Sequence, residues 1–274
     1  MTISPSVTKP RTMKRSRCFA AAEPLMSDTL AAKTEAAIAV LREIAAAHSP
    51  AVFANSFGAE DMVLTHLIAS EKIDIALFAI DTGRLPAETY TLMAEVEKRY
   101  GIALGLIFPE RAAVERFVSD HGINGFYDSV ELRKACCHAR KVEPLQRALA
   151  GKAAWVTGLR AAQSTTRDTL QVKANDTANG LLKFSPLADW SEAEVWEFIR
   201  THKLPYNALH DQGYPSLGCA PCTRAIQPGE DVRAGRWWWE NPETKECGLH
   251  MVDGRLQRIK ADPTSQRADS PLHS

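Results

Sequence analysis

Four cysteines in two pairs place the strongest constraint on how this 274-residue chain can fold. Cys136 and Cys137 are adjacent, and Cys219 and Cys222 form a CxxC sequence much later in the chain. Four thiolates in two pairs match the ligand count of an iron–sulfur cluster or of a structural zinc ion. We therefore take the four cysteines as a candidate metal centre around which the chain is organised.

The adjacent pair restricts the local geometry further. Successive helical residues point about 100° apart, so Cys136 and Cys137 can reach one centre only at a helix end or in a distorted turn. A cubane with four iron corners spreads its ligands more widely than one zinc ion, which favours [4Fe–4S] and leaves zinc as the alternative. Lys141 follows Cys137 by four residues and shares its helix face, where an ammonium group would lie between an anionic cluster and a bound oxyanion.

Composition narrows the class of protein. The formal net charge of +0 argues against a general binder of nucleic acid or of membrane surfaces, and we expect neither as a partner. With 45% hydrophobic residues the chain can bury a sizeable core, yet no apolar run approaches the length of a membrane span. Six cysteines in a chain this long do not make a disulfide scaffold, and their paired spacing suits a cytoplasmic metal site.

The two ends of the chain differ from its centre. Residues 1–27 are basic and rich in Ser, Thr and Pro, which predicts a disordered tail or a true start at Met13 or Met26, with an organellar transit peptide as the lesser alternative. Cys18 lies in this tail and is interpreted as incidental. We predict one domain over residues 28–259, in which a segment from about residue 205 folds back over the sheet, and a mobile tail over residues 260–274.

Hydrophobic periodicity predicts strands that alternate with helices. The predicted strands are 51–54, 75–80, 104–108 and 153–157, and the predicted helices are 28–47, 62–69, 86–100, 110–120 and 134–149, the last with a kink or break at Pro144. Ser191 and Glu194 match a capping box that opens another helix. This alternation predicts an α/β fold with a mainly parallel sheet, in which ligands bind beyond the carboxyl ends of the strands.

The turns after three strands are therefore candidate ligand sites. The first offers backbone N–H groups at a helix N-terminus, suited to phosphate or sulfate, although it could be only a tight connection that needs Gly58. In the second, Asp81 could bind a ribose hydroxyl or an adenine amine, or could simply cap the turn. The third could clamp an anion through its arginines, or could be a solvated loop. The candidates are Ser56, Phe57, Gly58, Glu60 and Asp61; Asp81, Thr82, Gly83 and Arg84; and Gly158, Arg160 and Arg167.

A fifth cysteine stands outside the quartet. Cys247 is followed by His250 and preceded by Arg233 and Arg236, and cationic neighbours lower a thiol pKa and populate the nucleophilic thiolate. The alternative is an inert buried thiol. The tryptophans at 237–239 are interpreted as packing of the C-terminal segment on the sheet, with a docking face or lid as the other possibility.

Together these motifs resemble the assimilatory adenylyl-sulfate reductases, within the phosphoadenylyl-sulfate/adenylyl-sulfate reductase family. The resemblance covers roughly residues 30–252, and the combination of its motifs is far more specific than any one of them. It rests on Ser-Phe-Gly-Ala-Glu-Asp at 56–61, Asp-Thr-Gly at 81–83, the Cys136–Cys137 pair, Gly-Leu-Arg at 158–160, Cys-Ala-Pro-Cys at 219–222 and Glu-Cys-Gly-Leu-His at 246–250.

The resemblance implies an adenine-nucleotide hydrolase-like fold with a PP-loop-type turn at 56–61, helices on both faces of the sheet and a C-terminal segment over the active site. It implies that Cys136, Cys137, Cys219 and Cys222 ligate a [4Fe–4S] cluster. It also implies that Lys141, Arg160, Arg233, Arg236 and His250 contact or face the phosphosulfate, and that Cys247 is the nucleophile.

The implied activity is thiol-dependent reduction of adenylyl sulfate to sulfite and AMP, through a cysteine thiosulfonate, in sulfate assimilation for cysteine biosynthesis. One thiol cannot complete this reaction, so thioredoxin or glutaredoxin is the expected reductant. The oligomeric state stays open, including a homo-oligomer. The alternatives are a 3′-phosphoadenylyl-sulfate reductase, a PP-loop tRNA-thiolating enzyme, which neutral charge and the absence of a Gly-Gly-Lys-Asp-Ser turn disfavour, and a non-catalytic metal-binding interaction module.

Overall fold

The structure, a computed structural model, describes residues 26–163 and 170–241. The predictions for the two tails therefore lie outside the described residues. In chain order the elements are α1 (Asp28–Ala47), β1 (Ala51–Ala54), α2 (Ala59–Ser70), β2 (Ala76–Ile80), α3 (Ala87–Tyr100), β3 (Gly105–Ile107), α4 (Arg111–His121), α5 (Val130–Cys137), α6 (Glu143–Leu149), β4 (Ala154–Val156), β5 (Lys173–Asp176), β6 (Leu181–Phe184) and α7 (Glu192–Thr201).

The six strands form one mixed sheet in the order β3-β2-β1-β4-β6-β5. β1 runs parallel to both β2 and β4, β2 is parallel to β3, and β4 is parallel to β6. Only β5, at the edge of this described sheet, is antiparallel. The prediction of an α/β fold with a mainly parallel sheet is confirmed, and the carboxyl ends of β2, β1 and β4 lie side by side.

Helices cover both faces of the sheet because alternate strand residues point to opposite sides. Phe53 and the other side chains on its face of the sheet form one core with residues of α1, α2 and α7. Val52 and Trp155 face the other side and pack against Leu145 and Leu149 of α6. None of the helices in the described ranges combines the length and the apolar character needed to cross a bilayer.

Local sequence signals predicted several element ends. α1 has the predicted bounds and begins after Ser27, whose side chain accepts from the backbone N–H of Leu30. The capping box of Ser191 and Glu194 opens α7 as predicted. The hairpin of β5 and β6 was not predicted, because β5 is mostly exposed and its sequence Lys-Ala-Asn-Asp shows no apolar alternation.

The cysteine-bearing region was predicted as a helix over 134–149 with a kink or break at Pro144, and in the structure the helix is interrupted before that proline. α5 begins at Val130 and ends at Cys137, a π-helical turn spans His138–Val142, and α6 starts at Glu143. Pro144 lies in the first turn of α6, where its missing N–H costs nothing. The expectation that the adjacent cysteines need a helix end or a distorted turn is confirmed, since both features follow Cys137 directly.

Candidate active site and cysteine cavity

A cavity of about 280 Å3, here called the large cavity, opens at the carboxyl ends of β1, β2 and β4. Its walls come from the turns after these strands and from the chain at 215–218 and 232–237. The predicted site residues that line it are Ser56, Phe57, Gly58, Glu60, Asp61, Thr82, Lys141, Gly158, Arg160, Arg233 and Arg236. Arg167, Cys247 and His250 lie outside the described residues.

The turn after β1 adopts a conformation that the sequence did not indicate. Phe57, not Gly58, has a left-handed backbone with φ of 62°, whereas Gly58 has φ of −74° and precedes α2. The buried Asn55 side chain stabilises this turn, because its Oδ1 accepts from Phe57 N at 2.8 Å and its Nδ2 donates to Thr65 Oγ1 at 2.8 Å. A non-glycine residue in this region costs on the order of 1–3 kcal/mol, and such positions concentrate at functional sites.

Asp61 ties the first turn to the turn after β4. Its Oδ2 accepts from the backbone N and the Oγ of Ser56, both at 2.6 Å. Gly158 approaches the carboxylate so closely that an added Cβ would overlap Asp61 Oδ1, which explains the glycine there. Burial raises the pKa of Asp61 to about 7 and outweighs the hydrogen bonds from Ser56 and Gly158, which act in the opposite direction.

Arginines and a lysine give the large cavity its positive charge. Arg160 is buried and its Nε donates to Glu60 Oε1 at 2.7 Å, so this pair is locally neutral. Lys141, Arg233 and Arg236 line the same cavity. The Arg236 guanidinium donates to the Leu217 carbonyl, which holds it against the cavity wall. This charge suits an anionic ligand.

In the turn after β2, Asp81 caps the turn and is not placed to bind a ligand in the large cavity. Asp81 does not line the large cavity; its Oδ1 accepts from Gly83 N and from the Tyr90 hydroxyl, both at 2.8 Å, as a turn cap does. The φ of Gly83 is 70°, as this turn requires. Arg84 donates to the Ile123 carbonyl at 2.6 Å and lies on the side of the cysteines.

The four quartet cysteines line a second, smaller cavity, here called the cysteine cavity. Their exposed fractions are only 7–8%, and all four are thiols rather than disulfides. The remaining lining residues are Arg84, Phe126, Arg133, Arg140, Lys141 and Pro221. The two segments that carry the cysteine pairs therefore meet, and Lys141 is the residue common to the linings of both cavities.

Neighbouring cations and burial shift the thiol pKa values of Cys219 and Cys222 in opposite directions. Burial opposes ionisation of Cys219, but Lys141, Thr82 and Arg236 outweigh it and lower its pKa. The Thr82 hydroxyl lies 3.3 Å from the Cys219 sulfur. Burial and the neighbouring Cys219 raise the pKa of Cys222 to about 12. A thiolate surrounded by cations is the form in which cysteine binds metals.

The donor set fits an anionic inorganic cluster. Within the described ranges no three His, Cys, Asp or Glu side chains are grouped closely enough to hold one metal ion. The four thiols nevertheless line one cavity together with arginines and a lysine. Trp237 and Trp239 pack beside them, and their buried indole N–H groups have no acceptor among the described residues, a role that cluster sulfur atoms could take.

The tryptophans at 237–239 pack on the cysteine cavity rather than on the sheet. Trp237 is 1% exposed and joins the buried cluster of the four cysteines, while the rings of Trp239 and Tyr127 make an edge-to-face contact with centroids 4.4 Å apart. Trp238 is 40% exposed. The predicted packing on the sheet is wrong, because Trp237 packs with Phe117, Phe126 and the four cysteines instead.

Comparison with known proteins agrees with this geometry. The sequence profile of the phosphoadenosine phosphosulfate reductase domain matches residues 50–225. An adenosine 5′-phosphosulfate reductase from Allochromatium vinosum is 57% identical over 243 residues, which cover 89% of this chain and 95% of that protein. One from Burkholderia cepacia is 54% identical, over 83% of this chain and 91% of its own length.

The chain belongs to the adenosine 5′-phosphosulfate reductase family. The resemblance found in its motifs is thereby confirmed. Among solved structures, a phosphoadenylyl-sulfate reductase from Candida auris in a phosphate complex is 27% identical, with a TM-score of 0.60 over 74% of this chain and 98% of that one. The fold prediction is confirmed with it.

Two features of this family member escaped sequence reasoning. His210 lines the large cavity, and its buried Nε2 has no partner among the described residues; burial lowers its pKa, so the ring is neutral at pH 7. A second feature is the buried ion pair of Arg133 and Glu240. The spacing of Arg133, four residues before Cys137, places it on the helix face of that cysteine, but no local pattern points to Glu240 as its partner.

We expect Asp61→Asn to change how the stability of this reductase-family domain depends on pH. The pKa of Asp61 is raised, so its stabilising effect is complete below the unfolded pKa and is lost as pH rises through about 7. Between pH 6 and 8.5 the wild type should lose about 1.4 kcal/mol relative to the variant. Measured by differential scanning fluorimetry, the Tm of the wild type should fall by about 2–6 °C relative to that of the variant between the two pH values.

The exposed carboxylate of Asp128 provides the matched control. Asp128→Asn removes one carboxylate from an exposed position and so controls for the loss of a charge in itself. A difference between Asp61→Asn and the wild type that stays constant across this range would contradict a raised pKa at Asp61.

Proposed function

We propose that this chain reduces adenylyl sulfate to sulfite and AMP, with Cys247 as nucleophile and an external dithiol as reductant. The observation that carries the proposal is the juxtaposition of a cation-lined cavity with a buried four-thiol cavity, both lined by Lys141. The curated relatives with 57% and 54% identity are adenosine 5′-phosphosulfate reductases, which supports this substrate over its 3′-phosphorylated analogue.

The first chemical step transfers a sulfuryl group. The Cys247 thiolate attacks the sulfur of adenylyl sulfate, an S–S bond forms, and the bond from sulfur to the phosphate oxygen breaks. AMP leaves with that electron pair, and because its phosphate is a good leaving group little acid catalysis is needed. The enzyme is left as a cysteine thiosulfonate.

The second step reduces sulfur. A thiolate of the reductant attacks the Cys247 sulfur, sulfite leaves with the electron pair of the S–S bond, and a mixed disulfide remains. The second thiol of the reductant then releases Cys247 as a thiol. The dithiol is oxidised by two electrons, and these reduce the sulfuryl sulfur to sulfite. Thioredoxin or glutaredoxin, in the cytoplasm, is the class of protein that supplies such a dithiol.

The chain's own cations bind and orient the substrate. Lys141, Arg233 and Arg236 line the large cavity, where they stabilise charge on the sulfuryl oxygens and the departing phosphate. Arg160, held by Glu60, and His250, three residues after Cys247, complete the proposed set. Backbone N–H groups at the N-terminus of α2 add to the anion site.

A [4Fe–4S] cluster is the proposed cofactor, held by Cys136, Cys137, Cys219 and Cys222. When bound, it supplies structural order and negative charge beside the cations, and the two chemical steps need no electrons from it. Lys141 would then lie between the cysteine ligands and the substrate, as its place in the linings of both cavities supports.

A comparison of two substrates tests this function. Anaerobically purified, brown protein is given reduced thioredoxin and either adenylyl sulfate or its 3′-phosphorylated analogue, and sulfite and AMP are quantified. We expect equal amounts of sulfite and AMP, and a kcat/KM at least about tenfold higher for adenylyl sulfate, a difference of about 1.4 kcal/mol. Preference for the analogue would reassign the substrate, and no turnover of either would favour a non-catalytic metal-binding module.

A further inference from the structure

The most deeply buried ion pair among the described residues does not touch the large cavity. The side chains of Arg133 and Glu240 are 0% and 3% exposed. Arg133 Nε and Nη2 donate to the two carboxylate oxygens of Glu240, both at 2.8 Å, in a bidentate arrangement. Burying two charges is costly unless their geometry is fixed, so the pair requires an explanation beyond stability.

The pair joins two parts of the protein that matter for the proposed reaction. Arg133 lies on α5, one helical turn before Cys137 and on the same helix face. Arg133 also lines the cysteine cavity together with Cys137. Glu240 lies seven residues before Cys247 in the sequence. The start of the segment that carries the proposed nucleophile is therefore fastened to a cysteine-bearing helix.

Trp237 extends this connection to the large cavity. The guanidinium carbons of Arg133 and Arg236 lie 4.6 Å and 4.7 Å from the centroid of its ring, within the distance for cation–π contacts. The Trp237 backbone N–H donates to the Cys222 carbonyl at 3.1 Å, and the Glu240 N–H donates to the Trp237 carbonyl at 2.8 Å. The chain from Arg236 to Glu240 thus rests on both cysteine-bearing segments.

We propose that Arg133 and Glu240 are positioning residues that act through Trp237 to hold Arg236 in the wall of the large cavity, so that the fold around the four cysteines sets the position of a cation at the substrate site. The inference rests on the proposed function. Neither residue lines the large cavity, so their effect on the reaction passes through Trp237 and Arg236.

The test uses Glu240→Gln in the full, cluster-loaded chain. Glutamine keeps the shape of glutamate and one acceptor but removes the charge and the second acceptor. Formation of the Cys247 thiosulfonate is followed by rapid-quench mass spectrometry with adenylyl sulfate and no reductant. We expect iron per chain and the Kd for AMP to stay within about twofold of the wild type, and the rate of adduct formation per loaded chain to fall at least about tenfold.

The matched control is Glu230→Gln. Glu230 forms a bidentate pair with Arg224 in the same C-terminal segment, with both distances at 2.9 Å, but this pair is about one-third exposed. This variant should form the adduct at the wild-type rate, because partly exposed pairs of this kind contribute little.

A second comparison tests whether the two residues act as one unit. Arg133→Met combined with Glu240→Gln should be no slower in adduct formation than Arg133→Met alone.

The outcomes separate this proposal from the proposed function. If the wild type forms no adduct, the proposed function fails. If the wild type forms it and Glu240→Gln does so at a rate within twofold, or slows only in proportion to lost iron, the positioning role is overturned. Should Glu240→Gln not accumulate as folded protein, Glu240→Asp, which keeps the charge but shortens its reach, is measured by the same criteria.

Discussion

Replacement of Cys247 by serine is expected to stop sulfite formation, with kcat reduced at least about a thousandfold. A serine hydroxyl is not ionised near neutral pH, and an ester formed through oxygen could not release sulfite to an attacking thiol. In the proposed sequence the S–S bond forms at the Cys247 sulfur, and the reductant attacks that same sulfur to release sulfite. The measurement is sulfite and AMP release under saturating adenylyl sulfate and reduced thioredoxin, together with intact-protein mass spectrometry without reductant.

The variant should differ from the wild type in chemistry alone. Iron content, the brown colour and affinity for adenylyl sulfate are expected to be unchanged, because Cys247 is not one of the four cysteines that line the cysteine cavity. Cys18→Ser is the matched control and should keep full activity, since Cys18 lies in the basic N-terminal region, outside every motif. Turnover by Cys247→Ser at more than one-hundredth of the wild-type rate would remove this residue from the role of nucleophile.

The sequence predicted helix and strand positions correctly where a single local pattern, such as a cap or an apolar run, determines them. Buried strands of apolar residues and helices with clear caps could be placed, and α1 and β1 have the predicted bounds because Ser27 and Pro50 mark where they begin. The adjacent cysteines predicted a helix end or a distorted turn by geometry alone, and the π-helical turn after Cys137 supplies both.

Prediction failed where a contact between distant segments decides the structure. Phe57 rather than Gly58 takes the left-handed conformation because the buried Asn55 side chain fixes the turn, and no local pattern shows this. The sequence left two roles open for Asp81, a ligand carboxylate or a turn cap, and its contacts with Gly83 and Tyr90 show the cap. Pairing of Arg133 with Glu240 depends on how the C-terminal segment crosses α5, which hydrophobic periodicity does not encode.

Loss of one cysteine of the quartet is the second large effect that we expect. Cys222→Ala should yield protein without brown colour, with inorganic sulfide and iron per chain reduced at least about fivefold, and with little activity. Cys222 is 8% exposed and lies in the wall of the cysteine cavity, and alanine fits there without overlap. The backbone would remain able to accept from the Trp237 N–H, so the variant removes a sulfur ligand rather than a structural contact.

The chemical identity of the centre is decided by the same preparation. A [4Fe–4S] cluster predicts about four irons and four sulfides per wild-type chain and a broad visible absorption, whereas a structural zinc ion predicts colourless protein with one zinc. Thr223→Ser, next to Cys222, is the control and should keep the metal, because serine retains the hydroxyl that donates to the Cys219 carbonyl at 2.9 Å. Full activity in metal-free Cys222→Ala would mean that the four thiols do not support catalysis. If activity falls in proportion to iron while AMP still binds, the metal centre contributes to the chemical steps. Lys141, which lines both cavities, would connect the centre to those steps.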